Sequence, residues 1–138
     1  MYNTTAANLS GLVTIEARVK RTKTSGQFSM YAYNASKFSA SNPKGADTST
    51  TFYLASGNIS THTSATAVAA PYSANQWYDI KIVANIGEGK GKFDFYVNGE
   101  CVLINQTLRN NLALDRFSLY SSDNNADMLI DYFRVYAN

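Results

Sequence analysis

Hydrophobic and polar residues alternate along several short stretches of the chain, which is the pattern of β-strands with one buried face. The run Gly11–Lys20 shows it most clearly, because every second residue from Val13 to Val19 is apolar and the residues between them are polar or charged. Similar runs predict further strands at Gln27–Ala35, Thr50–Ala55, Asn58–Thr63, Trp77–Asn85, Lys92–Val97, Cys101–Ile104, Arg116–Ser121 and Met128–Tyr136. About nine short strands at this spacing predict an all-β protein with two antiparallel sheets packed as a sandwich.

Turn and loop signals mark the boundaries of these strands. Asn98-Gly99 is the strongest hairpin signal, because both residues tolerate the positive φ angles that a two-residue turn requires. Gly57-Asn58 predicts a second hairpin for the same reason. Two longer stretches, Ser36–Ser49 and Ala69–Gln76, are predicted as loops.

Composition and charge narrow the classes of function. The chain has 138 residues, and we interpret residues 1–138 as a single domain. Only 16% of the residues are charged, and a net charge of +2 gives no strong field for capturing nucleic acid. No apolar run reaches the ~20 residues of a membrane-spanning helix, so no membrane insertion is expected. The one cysteine, Cys101, excludes an internal disulfide framework.

Four strand motifs follow one another along the chain, namely VTIEARVK at 13–20, WYDIKIVAN at 77–85, FDFYVNGECV at 93–102 and LIDYFRVY at 129–136. In this order they resemble the laminin-G-like domains of the concanavalin A-like lectin/glucanase superfamily, over residues 11–136. The resemblance implies a jelly-roll sandwich with one concave sheet. It also implies frequent binding of glycans, often within larger secreted enzymes or surface proteins.

The start of the chain departs from that family. Its members usually have one or two strands ahead of the first motif, whereas only Met1–Ser10 precedes it here. Three explanations stay open: the domain is trimmed, Tyr2–Leu9 supplies a short pairing strand, or the chain begins inside a longer protein. Tyr2–Thr5 has neither the basic start nor the apolar stretch of a signal peptide, which leaves a mature domain or a cytoplasmic protein as alternatives. Because the composition is rich in Tyr, Thr and Asn, we expect a mature domain of an extracellular, bacterial protein with neighbouring domains as partners.

Tyrosines are the side chains from which a ligand site is predicted. Tyr31 and Tyr33 share the face opposite Phe28 and Met30, so the core does not require them. A pyranose stacks its C–H face on an aromatic ring, and its hydroxyls bind amides, carboxylates or arginine. If the first strands are neighbours, one sheet surface carries the predicted carbohydrate-binding residues Arg18, Tyr31, Tyr33, Tyr53 and His62. The alternative is that the tyrosines only cover a hydrated sheet face, where their β-propensity favours them.

The sequence lacks the residue patterns of the two classes of enzyme that its resemblance suggests. Retaining glycoside hydrolysis needs two carboxylates about 5 Å apart. Hydrolases of the superfamily carry them in a Glu-x-Asp-x-x-Glu type run, which this sequence lacks. A polysaccharide lyase would need a base, such as His62 or a tyrosine, and a cation such as Arg18 to neutralise a uronate carboxylate. Because the motifs of the jelly-roll alginate lyases are not matched, we expect no catalytic residues and keep a lyase as the less favoured alternative.

Asp131 is the predicted metal ligand. It shares the alternation of Phe133 and Val135 and is therefore expected to point inward, where an unpaired carboxylate is costly. Together with the oxygen-rich segment Asp123–Asp127 it makes calcium the cofactor to consider. The alternative is a turn at 123–127 and a carboxylate that caps backbone N–H groups.

These observations predict a non-catalytic, lectin-like module that binds polysaccharide or oligosaccharide on a concave sheet. The alternative function is a structural spacer or protein-interaction domain of a larger secreted enzyme or adhesin. In both cases the fold is expected to be an all-β, two-sheet jelly roll.

Overall fold

Eleven β-strands make up most of the computed structural model, which describes residues 2–37, 48–62, 66–87, 89–121 and 127–137. The strands are β1 (Tyr2–Leu9), β2 (Gly11–Arg21), β3 (Gln27–Tyr33), β4 (Thr48–Ala55), β5 (Asn58–His62), β6 (Thr66–Pro71), β7 (Trp77–Ile86), β8 (Lys92–Val97), β9 (Glu100–Thr107), β10 (Leu114–Ser121) and β11 (Met128–Ala137). A short 3₁₀ helix, Ala35–Lys37, follows β3. Within the described ranges, no helix is long and apolar enough to cross a membrane.

The strands form two antiparallel sheets, as the alternation predicts. The six-stranded sheet has the order β1-β10-β3-β4-β5-β6, and the five-stranded sheet has the order β11-β2-β7-β8-β9. Strands β2 and β3 follow each other in the chain but belong to different sheets. Consecutive strands are therefore not always neighbours in space, and this decides which residues share a surface.

The core lies between the sheets and consists of the apolar residues that alternation places inward. From β2 it takes Val13, Ile15, Ala17 and Val19, all at most 1% exposed. Ile15 pairs directly with Ile82 of β7, which pairs in turn with Phe95 of β8. The opposite sheet contributes buried apolar residues, among them Phe28, Met30, Ala32, Phe52, Leu54 and Phe117. The predicted inward faces of these strands are confirmed.

Three local predictions need adjustment. Thr48 and Ser49, the end of the predicted loop Ser36–Ser49, already belong to β4, and residues 38–47 of that loop lie outside the described ranges. The turn between β4 and β5 is centred on Ser56 and Gly57, with φ angles of 51° and 80°, one residue earlier than predicted. The Asn98-Gly99 turn has φ angles of 51° and 82° and is confirmed. Part of the predicted loop Ala69–Gln76 belongs to β6, because pairing with β5 makes it a strand although its side chains are small.

Tyr2–Leu9 supplies a pairing strand, which was one of the three explanations for the start of the chain. It pairs with β10 at the edge of the six-stranded sheet. The strand β11 is likewise an edge strand, in the five-stranded sheet, and it pairs with β2 alone.

A fully buried arginine joins the two sheets at the end of β2. Arg21 is 0% exposed and forms an ion pair with the buried carboxylate of Asp127. Its guanidinium also donates to the carbonyl oxygens of Leu54 at 3.1 Å and Ser25 at 2.9 Å, and to the hydroxyl of Tyr72 at 3.0 Å. The alternation pattern gives no sign of this contact, because it depends on residues distant in the chain.

Candidate functional site

The outer face of the six-stranded sheet carries most of the tyrosines from which a ligand site was predicted. In β3, Phe28, Met30 and Ala32 belong to the core, so the residues between them lie on the outer face. Directly paired residues on neighbouring strands share a face, which extends this surface to β4 and β10. We call it the tyrosine face, and its described members include Ser29, Tyr31, Tyr33, Thr51, Tyr53, Arg116, Ser118 and Tyr120.

Large and small side chains alternate across the tyrosine face. Residues opposite each other on β10, β3 and β4 form rows, and neighbouring strands lie about 4.8 Å apart. A tyrosine therefore has a small hydroxyl side chain as its direct neighbour. Ser29, Thr51 and Ser118 are at most 1% exposed, so a ligand meets tyrosine rings and not these hydroxyls. Two of the rows are Tyr120–Ser29–Tyr53 and Ser118–Tyr31–Thr51.

The four tyrosines of this face differ in accessibility. Tyr33 and Tyr53 are only 4% and 8% exposed although they lie outside the core cluster, and the hydroxyl of Tyr33 bonds to Ser118 Oγ at 2.9 Å. Tyr31 is half-buried and Tyr120 is 36% exposed. Neither of these two makes a hydrogen bond in the part of the chain that the structure describes. Tyr31 and Tyr120 are therefore the rings of this face that a ligand reaches.

His62 lies in the same sheet, as predicted. It is the last residue of β5, and its backbone pairs with Thr66 of β6. Its side chain lies outside the described part of the structure.

Arg18 does not lie on the tyrosine face, so the expectation that it shares one surface with the tyrosines is wrong. It belongs to β2 in the five-stranded sheet, on the opposite side of the sandwich. Its guanidinium donates to Asp79 at 3.1 Å, lies 3.6 Å from Asp131 and stacks 5.4 Å from the ring centre of Trp77. The expectation requires β2 and β3 to be neighbours, whereas the chain crosses between the sheets after β2.

We expect the substitution Arg18→Gln to leave ligand binding on the tyrosine face unchanged. The ion pairs of Arg18 are partly exposed, so their loss should cost about 1 kcal/mol of unfolding free energy or less. Glycan retention in affinity gels and urea unfolding measure the two effects. A loss of retention in a folded Arg18→Gln variant would contradict the placement of the site.

Asp131 points to solvent, which corrects the expectation that it faces inward. The register of β11 against β2 shifts between Ile130 and Tyr132, so one residue is inserted at Asp131 and the alternation changes phase. Its side chain is 58% exposed and faces Arg18. No group of three or more histidine, cysteine, aspartate or glutamate residues within the described ranges is arranged to hold a metal ion. Residues 122–126, part of the other proposed oxygen source, lie outside those ranges.

The outer face of the five-stranded sheet is a second polar surface. A shallow pocket of about 210 Å³ there is lined by residues that include Glu16, Lys81 and Tyr96. Glu16 accepts hydrogen bonds from Arg134 Nε at 2.6 Å and from the Tyr136 hydroxyl at 3.1 Å. The hydrogen bond with Glu16 raises the pKa of Arg134. Glu16 and Arg134 thus satisfy each other on this face, while Lys81 Nζ lies 4.6 Å from the ring centre of Tyr96.

Comparison with known families agrees with this architecture. A laminin G family model, described as Concanavalin A-like lectin/glucanases superfamily, matches residues 2–138. The chain belongs to this superfamily. None of the curated proteins matches the sequence.

Solved structures of the lectin/glucanase fold resemble this chain closely in shape and weakly in sequence. A sialidase shares 12% identity at a TM-score of 0.75 over 98% of this chain, which spans 14% of the sialidase. The Caenorhabditis elegans galectin LEC-6 shares 13% identity at a TM-score of 0.67, covering 98% of this chain and 89% of the galectin. A human galectin-16 variant shares 12% identity at a TM-score of 0.68, covering 99% and 95%. These identities show the shared jelly-roll fold alone.

Two members of the tyrosine face, Arg116 and Tyr120, were missed by the sequence prediction. Both lie in β10, where Phe117 is part of the core and Leu119 packs against it. The alternation within Arg116–Ser121 already places Arg116 and Tyr120 on the face opposite Phe117. What the sequence does not contain is that β10 pairs with β3, which brings these residues beside Tyr31 and Tyr33.

Proposed function

We propose that this lectin/glucanase-type domain is a non-catalytic carbohydrate-binding module that holds a polysaccharide across the tyrosine face. The observation that carries the proposal is the pair of accessible rings, Tyr31 and Tyr120, whose hydroxyls make no hydrogen bond within the described part of the protein. They flank small hydroxyl side chains on the outer face of a lectin-type sheet. The galectin neighbours support the fold on which this surface is built.

A sugar on this surface would make two kinds of contact, stacking and hydrogen bonds. The C–H face of a pyranose buries apolar area against a tyrosine ring, while the free phenol group donates to or accepts from a sugar hydroxyl. Tyr33 and Tyr53, on the same face, are buried and therefore ordered before a ligand binds. A surface that is rigid before binding loses less conformational entropy when a sugar docks.

The described carboxylates support a binding role rather than catalysis. Glu16, Asp79 and Asp127 are each paired with an arginine. Asp94 and Asp115 accept backbone N–H groups of Asn105 and Ala35, at 2.7 and 2.8 Å. Glycoside hydrolysis on the tyrosine face would require two carboxylates there, and none of these five lies on that face.

We expect Tyr31→Ala and Tyr120→Ala to weaken glycan binding about fivefold each, since each ring contributes about 1 kcal/mol of stacking. Affinity electrophoresis in gels containing soluble polysaccharides measures the change. Tyr136→Ala is the matched control, because Tyr136 is 40% exposed but lies in the five-stranded sheet. Retention that persists in both tyrosine-face variants, or that disappears in the control, would count against this surface.

A structural spacer is the second candidate, and the sialidase match favours it. The chain spans 14% of that protein, so the same fold occurs within a much longer enzyme chain. We place the parent protein outside the cell, with neighbouring domains beside this one. A spacer predicts no retention by any polysaccharide and a measurable contact with a neighbouring domain of the parent protein.

A further inference from the structure

Arg116 is the charged member of the tyrosine face as defined above. It lies in β10 directly opposite Tyr33 of β3, one row from the accessible ring of Tyr31. The side chain is half-buried. Asp115, its neighbour in the chain, accepts the backbone N–H of Ala35 at 2.8 Å and forms no ion pair with Arg116.

The other arginines in the described ranges are all engaged. Arg18, Arg21 and Arg134 each contact at least one carboxylate, and Arg109 has a polar or electrostatic contact of its own. Arg116 forms no ion pair, hydrogen bond or ring contact within the part of the chain that the structure describes. A guanidinium that is partly removed from water without a partner loses hydration and gains nothing in return. This position therefore favours an anion supplied from outside the protein.

We propose that Arg116 forms an anion subsite, so that the polysaccharide bound by the tyrosine face is an acidic glycan bearing carboxylate or sulfate groups. The inference rests on the proposed function and adds the chemical class of its ligand. The planar guanidinium offers two parallel N–H groups to a carboxylate or sulfate, which gives short, charge-assisted hydrogen bonds. A sugar ring on Tyr31 then has its acidic substituent directed toward β10, where Arg116 lies.

The surroundings of Arg116 strengthen this assignment. The described members of the tyrosine face include no aspartate or glutamate that would repel a bound anion. On the five-stranded sheet, by contrast, Arg18 and Arg134 are neutralised by Asp79 and Glu16. An anionic polymer therefore meets an arginine without a described ion-pair partner on the tyrosine face. On the opposite face the two arginines are paired, and Lys20, Lys81 and Lys92 contact Trp77, Tyr96 and the hydroxyl of Thr107.

The test compares polymers that differ only in charge. In affinity electrophoresis, polygalacturonate is compared with its methyl ester to measure the effect of the carboxylate on binding. Dextran sulfate is compared with dextran to measure the effect of the sulfate. Further acidic and neutral polysaccharides complete the panel. We expect binding to at least one acidic polymer about tenfold tighter than to its neutral counterpart, with a loss of about tenfold in Arg116→Gln. Arg116→Lys keeps the charge but not the planar fork, so it should recover only part of the affinity.

The matched control is Lys92→Gln, which removes one positive charge from an exposed residue of β8 in the five-stranded sheet. It should bind acidic polymers as the unsubstituted protein does. Arg116→Gln should melt at the unchanged temperature, because Arg116 has no ion pair or hydrogen bond to lose within the described ranges. If Lys92→Gln and Arg116→Gln lose affinity for acidic polymers equally, the affinity depends only on the overall charge of the protein, and the proposed subsite is overturned. Retention by neutral polymers alone, sensitive to Tyr31→Ala, would keep the carbohydrate site and overturn the acidic ligand. If no polymer retards the protein, the proposed function fails and this inference fails with it.

Discussion

Replacing Arg21 with methionine is expected to lower the unfolding free energy by about 3–5 kcal/mol, because the substitution leaves a buried carboxylate without its arginine. Asp127 is 4% exposed, and Lys23 at 3.8 Å is only a distant substitute. The carbonyl oxygens of Leu54 and Ser25 lose a donor as well, and each buried polar group left unpaired adds to the loss. Urea unfolding followed by far-ultraviolet circular dichroism or tryptophan fluorescence measures the change.

The control is the same substitution at Arg18, which lies in the same strand. Arg18→Met removes ion pairs whose side chains are 35% and 48% exposed, so it should cost about 1 kcal/mol or less. The double variant Arg21→Met/Asp127→Leu removes both charges and should recover part of the stability lost in Arg21→Met. A loss in Arg21→Met no larger than that in Arg18→Met would show that the buried pair does not hold the sheets together.

Truncating Phe95 to alanine should cost about 3–5 kcal/mol, the range expected for removing a large aromatic side chain from a packed core. Phe95 is 0% exposed and lies between Ile82 and Leu103 of the neighbouring strands β7 and β9. The loss has two parts, the transfer of apolar surface to water and the cavity left between the sheets. Chemical denaturation gives the change in free energy directly.

Ile104→Ala is the matched control for Phe95. Ile104 lies in β9, next to the strand of Phe95, but is 70% exposed, so its truncation should change stability by about 0.5 kcal/mol or less. Similar losses in the two variants would mean that the sheets are not packed through the face on which Phe95 lies.

Local pattern accounts for the part of this fold that the sequence predicts. In β2, Val13 to Val19 alternate strictly and all point inward, because a strand places successive side chains on opposite faces wherever it lies. The Asn98-Gly99 turn is equally local, since its positive φ angles depend on two residues. The family resemblance at residues 77–85 and 93–102 rests on the same short-range regularity, and the family match over residues 2–138 confirms it.

Long-range pairing accounts for what the sequence prediction missed or misplaced. Arg18 and Tyr31 each lie on the outer face of their own strand, as the alternation predicts. They do not share a surface, because β2 and β3 lie in different sheets. Asp131 does not point inward, because a register shift in β11 inserts one residue at this position. Only the pairing with β2 reveals the shift. Arg116 and Tyr120 join the tyrosine face because β10, far along the chain, pairs with β3.

The amino-acid sequence alone thus determined the fold class, the core residues of the regular strands and the presence of tyrosines on a face that the core does not use. The tertiary structure decided which strands are neighbours, that Tyr33 and Tyr53 are buried while Tyr31 and Tyr120 are accessible, and that Arg116 has no ion-pair partner among the described residues. The physical reason is that the direction of a strand's side chains follows from local backbone geometry. Burial and charge pairing, in contrast, depend on residues that meet only when the sheets have formed.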